Sequence, residues 1–306
     1  MRSYLIIVNI TIFVLLLILA GKRNNLIESG GFSLLLEEKE AIPYRINNPS
    51  PSILNYHQLI VQLNEWHKEC PENTEIGTYG KSSGNRDLVY FRINPSKRMQ
   101  PVILATGTIH GNELYSTAMI MDYIGRLLVE YQSRPEIKEL LDNRDLYFIP
   151  VVSPDSYQES RYVDGVDPNR DFSEYRYPER DSCIPIERLK EFFLKIKPAA
   201  AISGHSNGQV FLYPYGDTSD RTPDDAKYRK ILSKMTELSG YKKLQLRNNY
   251  GYPIFGTEAD WYYRHGCFSL VIEFGEEQKT PNDIEILSEL NKTYESFVYF
   301  LSESVK

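Results

Sequence analysis

The sequence predicts an α/β fold, a three-layer sandwich in which helices flank a mixed, largely parallel central sheet. Three observations lead there. Short apolar runs of strand length alternate with longer stretches of helical spacing. Two of those runs end in small residues, as strands do where they open into loops. No internal repeat and no second composition class appears after residue 52, so a single domain over 52–306 is expected.

In chain order, residues 52–69 set Ile53, Leu59, Ile60, Leu63 and Trp66 at helical spacing. Residues 88–93 alternate as a strand does, and 102–109 (VILATGTI) reads as a buried strand running into a loop. A helix is expected over 113–131, a strand over 145–152 and a polar, turn-rich segment over 168–180. Then come a helix at 186–196, strands at 199–204 and 209–213, and a helix at 226–238. A strand at 268–274 and an amphipathic helix at 284–301 close the domain. In such folds ligands gather at the carboxyl ends of strands.

Composition narrows the function. Lys plus Arg number 35 against 41 Asp plus Glu, a net charge of −6 with no basic run, which excludes nucleic acid as a partner. Hydrophobic residues at 42% suffice for a packed core. Cys70, Cys183 and Cys267 are far apart and odd in number, so buried free thiols are expected in place of a cysteine zinc site or a disulfide framework.

Residues 4–20 carry no charge, with Arg2 before them and Lys22 and Arg23 after. Their length falls between a signal-peptide core and a membrane span of about 20 residues. Residues 1–23 are therefore expected to be a signal peptide or membrane anchor, and 24–51 a spacer or short pro-segment. Export to the periplasm or the exterior follows. No A-x-A site comes after the segment and positive charge flanks both ends, so release and attachment through 4–20 both stay open.

Of five histidines, His57 and His67 lie on the polar first helix, where solvent is the default environment. His110 follows the 102–109 run in TGTIHGNEL, with Glu113 three residues on. A strand-to-helix turn can aim that imidazole and carboxylate at one point, and Gly111 lets the backbone turn without steric cost. A capping Glu beside a structural His is the other reading. His205 weakens it, because it ends a second small-residue strand, AAAISGH. Two histidines and one glutamate leave a fourth position open on a catalytic zinc. The resulting site charge of about +1 brings the pKa of a water there to about 7. One zinc per chain is expected, held by His110, Glu113 and His205.

The motifs HGNE (110–113), SPDS (153–156), GVDPNRDF (165–172), HSNGQVFLYPYG (205–216), YPIFGTEADW (252–261) and SLVIEFGE (269–276) occur in one order. In that order they resemble the zinc carboxypeptidases of the carboxypeptidase A type, over roughly 52–303. Carboxypeptidase A holds its zinc with two histidines and one glutamate, so the resemblance implies the same ligand set here. It also implies that Glu273 is the general base, moving a proton from water to the leaving amine. It implies that Asn169 and Arg170 bind the substrate's terminal carboxylate and that Arg161 steadies the tetrahedral oxyanion. The roles of Arg161 and Arg170 could be exchanged. Tyr252 corresponds to the tyrosine that closes over substrate, and Ser206 is a substrate-binding candidate.

The departures bear on specificity. Asn112 stands where digestive members carry arginine, and SPDS replaces NPDG. Ala259, at the position that sets side-chain preference, indicates neither an aromatic nor a basic pocket. Glu258 beside it reads as an exposed loop residue or as a contact for a basic group. The expected partner is a peptide: a C-terminal residue is removed, or a cell-wall stem peptide is cut, for example at a γ-D-glutamyl-diaminopimelate bond. An amidohydrolase of the aspartoacylase type and a silent exported binding domain are the alternatives. The PYG and 252–261 segments argue against the first, and Glu273 beside a complete ligand set argues against the second. A monomer is expected.

Overall fold

The computed structural model describes residues 53–94, 99–173, 183–277 and 280–306, so the expected leader (1–23) and spacer (24–51) lie outside the described residues. The described residues fall within one compact unit, Ala41–Lys306. Its centre is an eight-stranded sheet in the order β1-β2-β4-β3-β5-β8-β6-β7. The strands are β1 (Thr74–Lys81), β2 (Asp87–Ile93), β3 (Val102–Thr106), β4 (Asp145–Ile149), β5 (Ala200–His205), β6 (Val210–Tyr213), β7 (Lys242–Gln245) and β8 (Phe268–Glu273). The middle of the sheet is parallel, β4-β3-β5-β8, with antiparallel joins at β1-β2, β2-β4 and β6-β8.

The central strands are apolar on both faces because both faces are covered. In β4, Leu146 and Phe148 enter one core while Tyr147 and Ile149 enter the other. Ile103 and Ala105 oppose Leu104 in β3 in the same way, as Ala200 and Ile202 oppose Ala201 in β5. On the first face lie α1 (Tyr56–Glu69), α2 (Leu114–Glu130), α3 (Pro135–Asp142), α5 (Asp225–Ser239) and α8 (Asp283–Glu303). On the second lie α4 (Ile184–Ile196) and α7 (Glu258–Arg264). The result is the expected three-layer α/β sandwich. Capping boxes start two of the helices, Asn55 with Gln58 on α1 and Asn282 with Glu285 on α8.

The differences from the expected elements have physical causes. β1 and β7 form the two edges of the sheet and are rich in polar residues, so no apolar run announces them. The short helices α6 (Leu246–Tyr250) and α7 were also unexpected. In α7, Glu258, Ala259, Asp260, Trp261 and Tyr262 are all buried, so two acids occupy buried positions and no apolar stripe marks the helix in the sequence. The expected strands 102–109 and 145–152 stop earlier, at Thr106 and Ile149. The residues after Thr106 form the loop that carries His110.

Candidate metal centre

β3 ends in a loop whose geometry is set by hydroxyl groups. Thr108 has a left-handed backbone (φ 44°), which a β-branched residue rarely adopts. Ser116 Oγ accepts the Thr108 N–H at 2.8 Å, and the Thr108 hydroxyl packs against those of Ser116 and Thr117. Ser153, at the SPDS departure, donates to the Ile109 carbonyl at 2.5 Å and braces the next residue. Gly111 is needed for close approach and not for its dihedral freedom: a Cβ there would lie 2.1 Å from the Ser156 carbonyl oxygen. These contacts deliver His110 and Glu113 to the start of α2.

β5 delivers His205 from the adjacent parallel strand. His110 Nδ1 lies 2.7 Å from Glu113 Oε1, and His205 Nδ1 lies 2.9 Å from Glu113 Oε2. All three side chains are buried, and one ligand atom from each falls within 4.8 Å of the others. Among the described residues no other group of His, Cys, Asp and Glu meets that condition. Two imidazole nitrogens and a carboxylate oxygen facing a common point suit a borderline cation such as zinc, so the residues fit the expected ion. The centre comprises the three residues the sequence indicated.

The electrostatics follow from the packing. Burial alone would raise the Glu113 pKa, but His205 and His110 outweigh it and hold the carboxylate well below the usual range. Burial alone would lower His205, but Glu113 prevails and pushes it up to about 10. The other nitrogen of His110, Nε2, lies 3.0 Å from Asp167 Oδ1. A carboxylate in that position fixes the tautomer and the ring orientation of a metal ligand. Asp167 was legible within GVDPNRDF, yet its residue type and spacing alone assigned it no role.

The remaining expected site residues surround this centre. Glu273 ends β8 directly opposite His205 in the β5-β8 register. Burial first, then Glu113, raise its pKa to about 7, against the opposing pull of His205, Arg161 and a Tyr250 hydrogen bond. Arg161 Nη1 donates to Glu113 Oε1 at 3.2 Å, and its Nε and Nη2 reach Asp167 Oδ2 at 3.3 and 3.2 Å. Asn169 and Arg170 occupy a 3-10 turn, Pro168–Arg170, started by Asp167, whose side chain accepts the Asn169 N–H. Arg170 Nη1 donates to the Asn169 carbonyl at 2.6 Å, and Asn169 Nδ2 lies 3.5 Å from His205 Nε2. The Ser206 N–H donates to Glu113 Oε2 at 3.2 Å.

Tyr252 is 58% exposed, with its ring edge-on to that of Tyr250. One placement departs from the sequence reading. Glu258 is neither an exposed loop residue nor turned to solvent for a basic group. It is 1% exposed and begins α7, because its N–H is taken by Asn169 Oδ1 and its carboxylate by hydroxyls of the core. Ala259 is buried in an aliphatic cluster with Leu212, Ile254 and Val271.

An α/β sandwich with a two-histidine, one-glutamate metal centre at the carboxyl end of its sheet is thus the class of protein that fold and site define. The family model for zinc carboxypeptidases matches residues 59–296, and the chain belongs to that family. Carboxypeptidase D of Rattus norvegicus is 23% identical over 288 residues, covering 81% of this chain and 21% of that protein. The chain thus spans about a fifth of the length of that relative. Zinc carboxypeptidase A 1 of Anopheles gambiae is 25% identical over 302 residues, covering 82% of this chain and 68% of that protein. The crystal structure of thrombin activatable fibrinolysis inhibitor shares the fold with a TM-score of 0.75 at 18% identity, over 85% of this chain and 76% of that one.

Proposed function

We propose that the chain is a zinc-dependent peptidase that hydrolyses the peptide bond next to a free terminal carboxylate. The observation that carries this reading is Glu273, buried at a strand end directly beside the strand end that holds His205. His110, Glu113 and His205 hold the ion. When bound, zinc polarises the scissile carbonyl and acidifies the attacking water. Glu273 takes the proton of that water and passes it to the leaving amine, and burial, which makes its carboxylate more basic than an exposed one, suits it to both transfers. Arg161, held in place by Asp167 and Glu113, opposes the charge that grows on the tetrahedral oxygen.

Asn169 and Arg170 receive the terminal carboxylate, with a guanidinium fork matching its two oxygens. Tyr252 closes over the bound peptide from its exposed position, and Ser206 lies on the substrate path. Residues 1–23 direct export, so that the substrate is an extracellular or cell-wall peptide. The apolar run at 4–20 supports this part of the reading.

The test is mass spectrometry of C-terminally varied peptides and cell-wall stem peptides incubated with the zinc-loaded protein, with Glu273→Gln as control. Loss of a single C-terminal residue supports the carboxypeptidase reading, and a cut inside a stem peptide supports the wall-directed one. No cleavage of either set by a zinc-loaded protein would overturn the proposal.

A further inference from the structure

Glu258 has no part in the reaction described above, yet it is buried beside the metal centre. Its Oε1 accepts hydrogen bonds from Thr106 Oγ1 at 2.7 Å and the Tyr262 hydroxyl at 2.9 Å. Its Oε2 is buried without a hydrogen-bond partner and lies 3.8 Å from His205 Nε2. Leaving such an oxygen unpaired is costly, so its placement calls for a reason.

The tautomer of His205 supplies one. Its Nδ1 faces Glu113 and is the nitrogen that an ion held by the triad takes. A neutral imidazole that coordinates through Nδ1 carries its proton on Nε2, and that N–H requires an acceptor. Asn169 Nδ2, 3.5 Å away, cannot serve, because Asn169 Oδ1 already accepts the Glu258 N–H at 2.8 Å and leaves Nδ2 as a donor. Glu258 Oε2 is the acceptor that remains among these neighbours. A small rotation of the imidazole turns 3.8 Å into hydrogen-bond length. His110 already shows the closed form of the same arrangement, with Nε2 on Asp167 at 3.0 Å.

We propose that Glu258 is a positioning residue for the metal: anchored by Thr106 and Tyr262, its carboxylate accepts the Nε2–H of His205 and keeps Nδ1 turned to the ion. Each histidine of the centre then has its own acid, Asp167 for His110 and Glu258 for His205. The proposal rests on the zinc-site reading above.

The test measures zinc affinity of the full chain by chelator competition, for wild type and Glu258→Gln. In the variant, Thr106 and Tyr262 hold the amide oxygen and turn the NH2 toward Nε2–H, so a donor faces a donor. The zinc dissociation constant is expected to rise about 10–100-fold. In parallel, nitrogen-15 histidine spectra of the zinc-loaded wild type should show a protected Nε2–H on His205, and this measurement decides the matter should the variant fail to fold. Equal affinities, or a His205 without a proton on Nε2, would overturn the role of Glu258 alone. A wild type that takes up no zinc would overturn the metal-site reading together with it.

Discussion

His205 and Glu273 face one another across the parallel pair β5-β8, at the final residue of each strand. Parallel pairing aligns the two carboxyl ends, so a metal ligand and a carboxylate 68 residues apart in sequence become neighbours through sheet register. Glu113 reaches the same place from the start of α2, and the two glutamates raise each other's cost of ionisation. The histidines settle that competition in favour of a charged Glu113 and a readily protonated Glu273.

Glu273→Gln should remove the proposed proton carrier and keep the ion. We expect kcat to fall by about 10²–10⁴-fold, with zinc content unchanged by metal analysis and KM nearly so. A variant retaining more than a tenth of wild-type kcat would place the base elsewhere.

The pH profile should follow the same group. The proposed base acts as carboxylate, so kcat/KM is expected to rise with pH through the Glu273 pKa. Burial places that pKa at about 7 in the protein alone. A bound cation favours the carboxylate, so the acidic limb of the zinc enzyme should lie below that value. An initial-rate series across the acidic range checks this, and an activity that rises toward low pH would contradict it.

Zinc binding should release a proton. Glu113 raises the His205 pKa from 6.5 to about 10, so the metal-free chain holds an extra proton between these values. That proton's stabilisation is fully present below pH 6.5 and is lost as pH rises through about 10. The ion displaces it. Calorimetry at pH 8 in buffers of different ionisation enthalpy should report about one proton released per zinc, and affinity should rise with pH.

Arg170→Gln should weaken recognition of the terminal carboxylate. A loss of about 10²-fold in kcat/KM, equivalent to about 2.7 kcal/mol, is expected for free-acid peptides. Little change is expected for the same peptides as C-terminal amides. Equal losses on both would assign the guanidinium to the oxyanion and exchange its role with Arg161.

Gly111→Ala should damage the centre without touching a ligand. The new methyl meets the Ser156 carbonyl, which belongs to backbone and cannot swing aside. Overpacking of this kind costs about 1–3 kcal/mol. A lower Tm with reduced zinc occupancy is expected, and an unchanged Tm would show that the loop can yield.

The three thiols should be silent in the native state. Cys70, Cys183 and Cys267 are free and buried, and burial pushes Cys70 up to about 11 and Cys183 up to about 12. A thiol-reactive dye should label them only after denaturation.

Much of this molecule is legible along the chain, because some of its determinants are local. Strands buried on both faces must be continuous apolar runs, so β3, β4, β5 and β8 stand out, and helices with one wet face show their period. His110 and Glu113 share one turn, and the order of the six motifs carries the family resemblance. What the tertiary structure decided is what depends on neighbours from elsewhere in the chain. The polar edges β1 and β7 become strands because β2 and β6 offer them hydrogen bonds, and α7 hides because its acids Glu258 and Asp260 are buried with its apolar residues. Asp167 gains its role only where His110 Nε2 arrives. Glu258 reads as a loop carboxylate until Thr106 and His205, from two strands elsewhere in the chain, and Tyr262, one turn on along α7, close around it. Residue type and spacing specify local geometry, whereas burial and charge pairing are properties of the whole sheet.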